Sequence, residues 1–434
     1  VSLNNFCNFV EIKLKMKRTI IIIILALTTI LPAKSAWILI PMDDSQTNHL
    51  KAYGITYWTL QNQVEAWWLL NYRGGSFMTS FAKEIEHECI LRGVNYEIIA
   101  DGQKTAIFNE ISAPSVNMDA VKLEKVPKIA VYSPPTTQPW DDAVTIALTY
   151  AEIPYDKIYD FEVMNGELAN YDWLHLHHED FTGQYGKFYG AYSRMQWYRN
   201  QQKESEQSAR ELGFEKVSQL KLAVAKTIKA YVAEGGFLFA MCSATDSFDI
   251  ALAAEGVDIC ETMFDGDPAD PDAQSKLDYS KCLAFTDFTL VRNPLEYEFS
   301  DIDVTQQKKS TQGDDFFTLF EFSAKWDPVP TMLCQNHKTM LHGFMGQTTA
   351  FRAELVKSSV LIMGENKAAG EVRYIHDEFG KGMWTFYGGH DPEDYRHYVG
   401  DEHTDLSLHP NSPGYRLILN NVLFPAAKKK KLKT

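Results

Sequence analysis

The sequence predicts an α/β protein built on a parallel sheet covered by helices on both faces. Two observations carry this. Strand-like and helix-like segments alternate from residue 37 onward, and several of the strands are short, continuous apolar runs of the kind a two-side-covered sheet requires. A third, the run Gly235-Gly-Phe-Leu-Phe-Ala-Met-Cys242, passes directly from a buried strand into a turn and helix.

Two series of elements are expected. In the first, residues 37–42 and 66–71 read as strands, 49–61 and 82–92 as helices, and 96–100 as a further strand. Residues 112–125 read as a linker ending at Pro127. The second series opens with a strand over 128–133, then a helix over 140–152, a strand near 157–159 and a strand over 171–177. Helices over 199–212 and 220–233 lead to the strand 235–242 and the helix 243–255. Residues 261–311 are acidic, Pro-containing and polar, which suggests an irregular insertion extending to about 330. Strands are expected at 331–335, 360–364 and 372–389, and a helix over 413–423. If each series feeds its own parallel sheet through right-handed crossovers, residues 36–126 form an N-terminal α/β subdomain and 127–425 the main domain. Asp43, Asp44 and Arg73 would then wall one side of a shared crevice.

Residues 13–36 hold a basic stretch, an apolar run from Ile20 to Leu31 and a small-residue site at Ala33-Lys34-Ser35. That order is expected of a secretory signal peptide, with cleavage near Ser35 or Ala36 and a periplasmic or secreted product. Met16 reads as the start, residues 1–15 as upstream translation, and no further membrane span is expected. Residues 1–35 carry Lys13, Lys15, Lys17, Arg18 and Lys34 against Glu11, so a chain of formal charge −15 stands at −19 without them. Such an acidic surface repels nucleic acid. A small-molecule substrate is the expected partner, and the basic tail 426–434 reads as a solvated end. Cys89, Cys242, Cys260, Cys282 and Cys334 follow residue 35, an odd number without paired short spacing.

Three groups could carry chemistry. Cys242 stands where a buried strand turns into a helix, so helix N–H groups beside it would favour thiolate and hold an oxyanion. A small residue fitted into a tight turn is the alternative. His390 ends the strand Met383-Trp-Thr-Phe-Tyr-Gly-Gly-His390 and could reach Cys242 across the carboxyl edge as a general base, oriented by Glu393 or Asp391. Otherwise it caps the next turn. The run His175, Leu176, His177, His178, Glu179 and Asp180 is the third. Strand alternation puts His175 and His177 on one face, where they could chelate a divalent metal. No other cofactor is expected, and His177, His178, Glu179, Asp180, Asp246 and Asp391 are expected to line the substrate crevice, with Trp173, Tyr185 and Tyr189 as aromatic walls.

The segments Tyr231 to Phe248, with its glycine-rich strand and Ala-Thr-Asp turn, and Glu378 to Glu393, with Gly-Lys-Gly and Gly-His-Asp-Pro-Glu, resemble the trehalose-utilization (ThuA-like) family of the class I glutamine amidotransferase-like fold. Cys242 stands where that family commonly carries histidine and where the amidotransferases carry their nucleophile. His390 and Glu393 resemble the amidotransferase His-Pro-Glu pair with one residue inserted. The resemblance covers roughly 128–400. It implies a flavodoxin-like sheet and a thiol-dependent hydrolase or amidase, with Cys242, His390 and Glu393 catalytic, acting on a small amide or carbohydrate-derived substrate. A non-catalytic binding protein of the same fold and a metal-dependent hydrolase using His175, His177, Glu179 or His390 are the alternatives. The chain also resembles exported bacterial proteins carried as asparagine synthetase B, although Cys242-Ser-Ala-Thr-Asp-Ser247 lacks the glycines of a pyrophosphate-binding SGGxDS loop.

Overall fold

The computed structural model describes residues 36–134, 142–309, 315–327, 329–398 and 400–428. The segment expected to be a signal peptide, the start of the expected helix at Trp140 and the end of the basic tail lie outside them.

The chain forms a mixed α/β structure on two sheets. The N-terminal sheet contains β1 (Ala36–Ile40), β2 (Ala66–Leu70), β3 (Ser76–Ser80), β4 (Glu97–Ala100) and β5 (Asp119–Leu123) in the order β4-β1-β3-β2-β5. Every pairing in it is antiparallel, which corrects the expectation of a parallel sheet here. The reason is local. Only residues 71–75 join β2 to β3, with Asn71, Arg73, Gly74 and Gly75 at positive φ, and a parallel pair needs a crossover of a dozen residues or more. The supposed linker at 112–125 in fact contributes the edge strand β5, which pairs with β2 from Asp119 to Leu123.

The second sheet has 10 strands among the described residues. Its parallel half runs β7 (Asp156–Ile158), β6 (Ile129–Tyr132), β8 (Trp173–Leu176), β9 (Phe237–Met241) and β15 (Gly382–Tyr387). Beyond β15 the sheet turns antiparallel through β14 (Glu371–Phe379), β13 (Leu361–Asn366), β10 (Phe316–Leu319) and β11 (Met340–His342), with β12 (Phe351–Arg352) alongside β14. The sheet is therefore mixed rather than wholly parallel. The hairpin turn at Gly380, where φ is 64°, reverses the chain between β14 and β15. Of residues 331–335, expected as a strand, 331–334 lie in a 3-10 helix (Val329–Cys334). Pro330 fixes φ and removes a ladder donor at its start.

Three helices lie between the sheets: α1 (His49–Gln61), α4 (Ala143–Ala151) and α9 (Pro413–Leu423). With α2 (Lys83–Arg92) packed on α1, they share one apolar core with Ile38, Ile40 and Trp68 on one side and Val131, Phe239 and Met241 on the other. The far face of the large sheet is covered by α7 (Val217–Glu234) and α8 (Ser243–Ala253), which bury Leu174, Leu176, Leu238 and Ala240. Outside the N-terminal sheet, α3 (Asp101–Ser112) supplies Ile107, Phe108 and Ile111 against Trp37 and Met78. The short α5 (Asp160–Met164) packs on α7, as does the polar α6 (Gln196–Glu211). No helix among the described residues is long and apolar enough to cross a membrane.

Candidate functional site

The parallel order brings the carboxyl ends of β6, β8, β9 and β15 side by side, and the polar residues that follow these strands meet there. In β8, alternation turns Trp173 and His175 to one face, where the His175 ring packs against Trp173 and Phe239 at 6.0 and 5.8 Å, those two rings also meeting at 5.7 Å. His175 Nδ1 lies 3.1 Å from the Phe239 carbonyl oxygen. His177 continues the same face. Both meet Asp142, the N-cap of α4, whose Oδ1 accepts from the backbone N–H groups of Val144 (2.8 Å) and Thr145 (3.2 Å). The same oxygen lies 3.3 Å from His175 Nε2 and 3.3 Å from His177 Nδ1. Burial alone would raise the Asp142 carboxyl, but the two imidazoles hold it well below the usual range.

The strand ends at Leu176, which frees His178 from the alternation. His177, His178 and His390 converge, and one ring nitrogen from each lies within 4.8 Å of the others. The His390 ring stands edge-on to His177 at 4.4 Å and stacks on His397 at 3.9 Å. His390 is 1% exposed, and neither of its ring nitrogens has a hydrogen-bond partner. Burial, followed by the neighbouring imidazoles, pushes His390 and His178 well below the usual imidazole range. Neutral imidazoles are the form that offers a lone pair to a metal.

The backbone fixes His390 tightly. Its N–H donates to the Met345 carbonyl at 2.8 Å, and a Cβ added at Gly346 would lie 2.7 Å from His390 N, so only glycine lets these two loops approach.

Beside the cluster lies a cavity of about 340 Å³, within the size range of small-molecule sites. His178, Glu179, Asp180, Tyr159, Tyr185 and Phe188 contribute to its wall. His178 thus belongs to both the histidine cluster and the cavity. Glu179 Oε2 accepts from the His177 N–H at 2.9 Å, and burial, with the Asp142 charge second, pushes its carboxyl up to about 7. Asp180 faces the cavity but also accepts from Thr182 N–H and Oγ1, both at 2.6 Å, and from Gly186 N–H at 3.0 Å.

Cys242 and His390 do follow adjacent parallel strands, with Met241 in register with Tyr387. Cys242 has φ 52° and ψ −141°, the strained conformation of a strand-to-helix elbow. Its thiol is buried and pushed up to about 12 by that burial, although the backbone N–H groups of Gln347 and Ser243 pull the other way. The expected Cys242–His390–Glu393 relay is not assembled. His390 receives no hydrogen bond from the thiol, and the Glu393 carboxylate accepts from Tyr395 Oη at 3.0 Å and pairs with His409 Nδ1 at 3.1 Å. The residue inserted before the Pro-Glu pair and the turn that Asp391 makes by accepting from the Glu393 N–H at 2.9 Å carry the carboxylate to His409.

Asp246 is fully buried, accepts from Thr348 Oγ1 at 2.8 Å and is pushed up to about 7 by burial. Neither Asp246 nor Asp391 lines the cavity. Trp173 is core, and Tyr185 alone of the three expected aromatic walls reaches the cavity. Arg73 is engaged with Asp43 at 2.8 Å and Glu97 at 2.6 Å, and Asp44 with Lys338 at 2.9 Å. None of the first-series residues contributes to the cavity wall. All five cysteines among the described residues are buried and free.

Sequence reasoning missed Asp142 and His397. An aspartate directly before the apolar run Ala143-Val144, just beyond a strand end, is a helix-start signal that could have drawn attention to Asp142.

No protein-family model and no curated protein matches this chain. Among solved structures, it is similar to the cytoplasmic protein STM3548 from Salmonella typhimurium, at 10% identity, 70% coverage of this chain, 100% of that chain and a TM-score of 0.32. It is also similar to the cytoplasmic protein STM1381 from Salmonella typhimurium LT2, at 12% identity, 69% and 100% coverage and a TM-score of 0.31. Likeness at this level carries no argument about function.

Proposed function

We propose that this protein is a metal-dependent hydrolase of small molecules, with its ion held by His177, His178 and His390. One observation carries the proposal. Three imidazoles converge beside a cavity that His178 helps to line, and the buried His390 among them has no hydrogen-bond partner on either nitrogen. A buried polar group without a partner costs about 1–3 kcal/mol, and a metal would satisfy it. Three histidines, which leave a tetrahedral ion one further position, are a donor set suited to catalytic zinc or a similar ion.

An ion bound there supplies Lewis acidity and an acidified water. The chain's own part is to orient and to move protons. Asp142 Oδ1 lies 3.3 Å from His177 Nδ1, which leaves Nε2 as the ring nitrogen turned away from it. Glu179, with its carboxyl near 7, can accept the proton of the attacking water and return it to the leaving group. The cavity volume favours a substrate such as a small amide or a carbohydrate-derived molecule.

Protein purified without a histidine tag should hold at least one equivalent of a transition metal by elemental analysis. His390→Ala should lose one equivalent together with hydrolytic activity found by substrate screening. Less than about a tenth of an equivalent in the parent protein would overturn the proposal.

The strained elbow at Cys242 favours a second reading, thiol-dependent hydrolysis. Loss of turnover in Cys242→Ala with full turnover after metal removal would select it. The strand order β7-β6-β8-β9-β15 is consistent with a flavodoxin-like parallel half, related to the ThuA-like and glutamine amidotransferase-like proteins. Export rests on the basic, apolar and small-residue pattern of residues 13–36.

A further inference from the structure

Asp142, His175 and His177 form a second convergent group, with one ligand atom from each within 4.8 Å of the others. Its geometry contains an electrostatic conflict. The Phe239 carbonyl can only accept, so the His175 Nδ1 that lies 3.1 Å from it carries the ring proton. In a singly protonated ring, Nε2 is then a bare lone pair. That lone pair faces the Asp142 carboxylate oxygen at 3.3 Å, and His175 is fully buried, so bulk solvent does not reach that nitrogen. Two acceptors do not face one another at that distance without a positive charge between them.

The charge is either a second proton on His175 or a metal ion. The distances favour the ion. Both Asp142 contacts, 3.3 Å to His175 and 3.3 Å to His177, exceed the 2.7–3.2 Å of an ordinary N–H···O hydrogen bond. They match the edge of about 3.3 Å between two ligands of a tetrahedral ion with bonds of roughly 2.0–2.1 Å. The helix N–H groups of Val144 and Thr145 hold the carboxylate in position, and the His175 ring packs against Trp173 and Phe239.

We infer that Asp142, His175 Nε2 and His177 Nδ1 bind a second divalent transition-metal ion, so that His177, its last ring proton released to solvent, bridges two ions as an imidazolate through its two ring nitrogens. This rests on the first ion at His177, His178 and His390. The bridge would set the ions about 6 Å apart, two bonds of roughly 2 Å plus the width of the ring. The second ion, held by the buried His175, acts by fixing and polarising His177.

The experiment is a titration of chelator-stripped protein with Co²⁺ alone, followed by visible absorption, with bound metal counted by elemental analysis. The full chain should saturate at two equivalents. His175→Phe keeps a ring against Trp173 and Phe239 but removes the ligand, and should saturate at one. Asp142→Asn provides a second test at one equivalent should the phenylalanine variant misfold by circular dichroism. Saturation of the parent protein at one equivalent, with His175→Phe unchanged and His390→Ala binding none, would overturn the second ion and leave the hydrolase reading standing. Two equivalents in both the parent and His175→Phe would also overturn it. No binding at all would remove both.

Discussion

The thiol of Cys242 offers a direct test of which group does the chemistry. Burial raises it to about 12, and only the thiolate is nucleophilic. An unperturbed cysteine has a pKa of roughly 8.5, so the thiolate fraction of Cys242 at neutral pH is smaller by a factor of about 10³ or more. The burial that raises the pKa also blocks reagent, since Cys242 is 1% exposed. Iodoacetamide labelling of the native protein at pH 7.5, read by peptide mass spectrometry, should therefore modify Cys242 at least about a thousandfold more slowly than a free thiol of the same concentration. The rate should climb tenfold per pH unit over the range in which the fold persists, because the thiolate fraction does. Cys242 labelling at the rate of a free thiol at pH 7.5 would refute this reasoning. It would mean that the elbow N–H groups outweigh desolvation, and the thiol reading would then take precedence over the metal one.

Two further outcomes concern the frame around the site. Lys221, at the cavity edge and 4% exposed, lies 2.8 and 2.9 Å from the two oxygens of the buried Asp160 and 2.8 Å from Tyr132 Oη. Lys221→Met strands that carboxylate and should cost about 3–5 kcal/mol in urea denaturation, whereas Lys221→Met with Asp160→Leu should recover most of it; a single-variant loss under about 1 kcal/mol would contradict the pairing. Burial lowers His49 to about 4 and His376 to about 3. The unfolded chain takes up these protons near pH 6.5 and the folded chain does not, so stability is fully present above that pH and is lost as pH falls toward 4 and 3. Between pH 7.5 and 5 each should cost about 2 kcal/mol. His376→Phe should flatten the urea-midpoint profile by its share, and an unchanged profile would rule out a buried neutral His376.

Much of the fold was legible in the sequence because local patterns encode it. The apolar runs of β1, β6 and β9 and the helix Pro413–Leu423, capped by Ser412 with proline at its start, carry their own signals. So does the elbow at Cys242, where a buried strand runs into a helix without a linker. His175 and His177 fall on one face of β8 by alternation alone, and both reach Asp142. What alternation could not decide was where β8 ends. Its termination at Leu176 releases His178 to converge with His177.

Pairing was the part that only the tertiary structure decided. A strand's sequence states how apolar it is and not which neighbour it takes, so the antiparallel N-terminal sheet and the strand β5 inside a polar stretch escaped notice. The candidate site has the same origin. His177 and His390 are 213 positions apart in the chain, and Asp142 belongs to a third element. The order β6-β8-β9-β15 sets their strand ends side by side. Cys242 and Glu393 illustrate the converse. Their residue types and positions pointed to a relay, but side-chain direction is fixed by packing and by turns. A buried elbow and the Asp391 turn sent the thiol toward Gln347 and the carboxylate toward His409, leaving His390 among histidines.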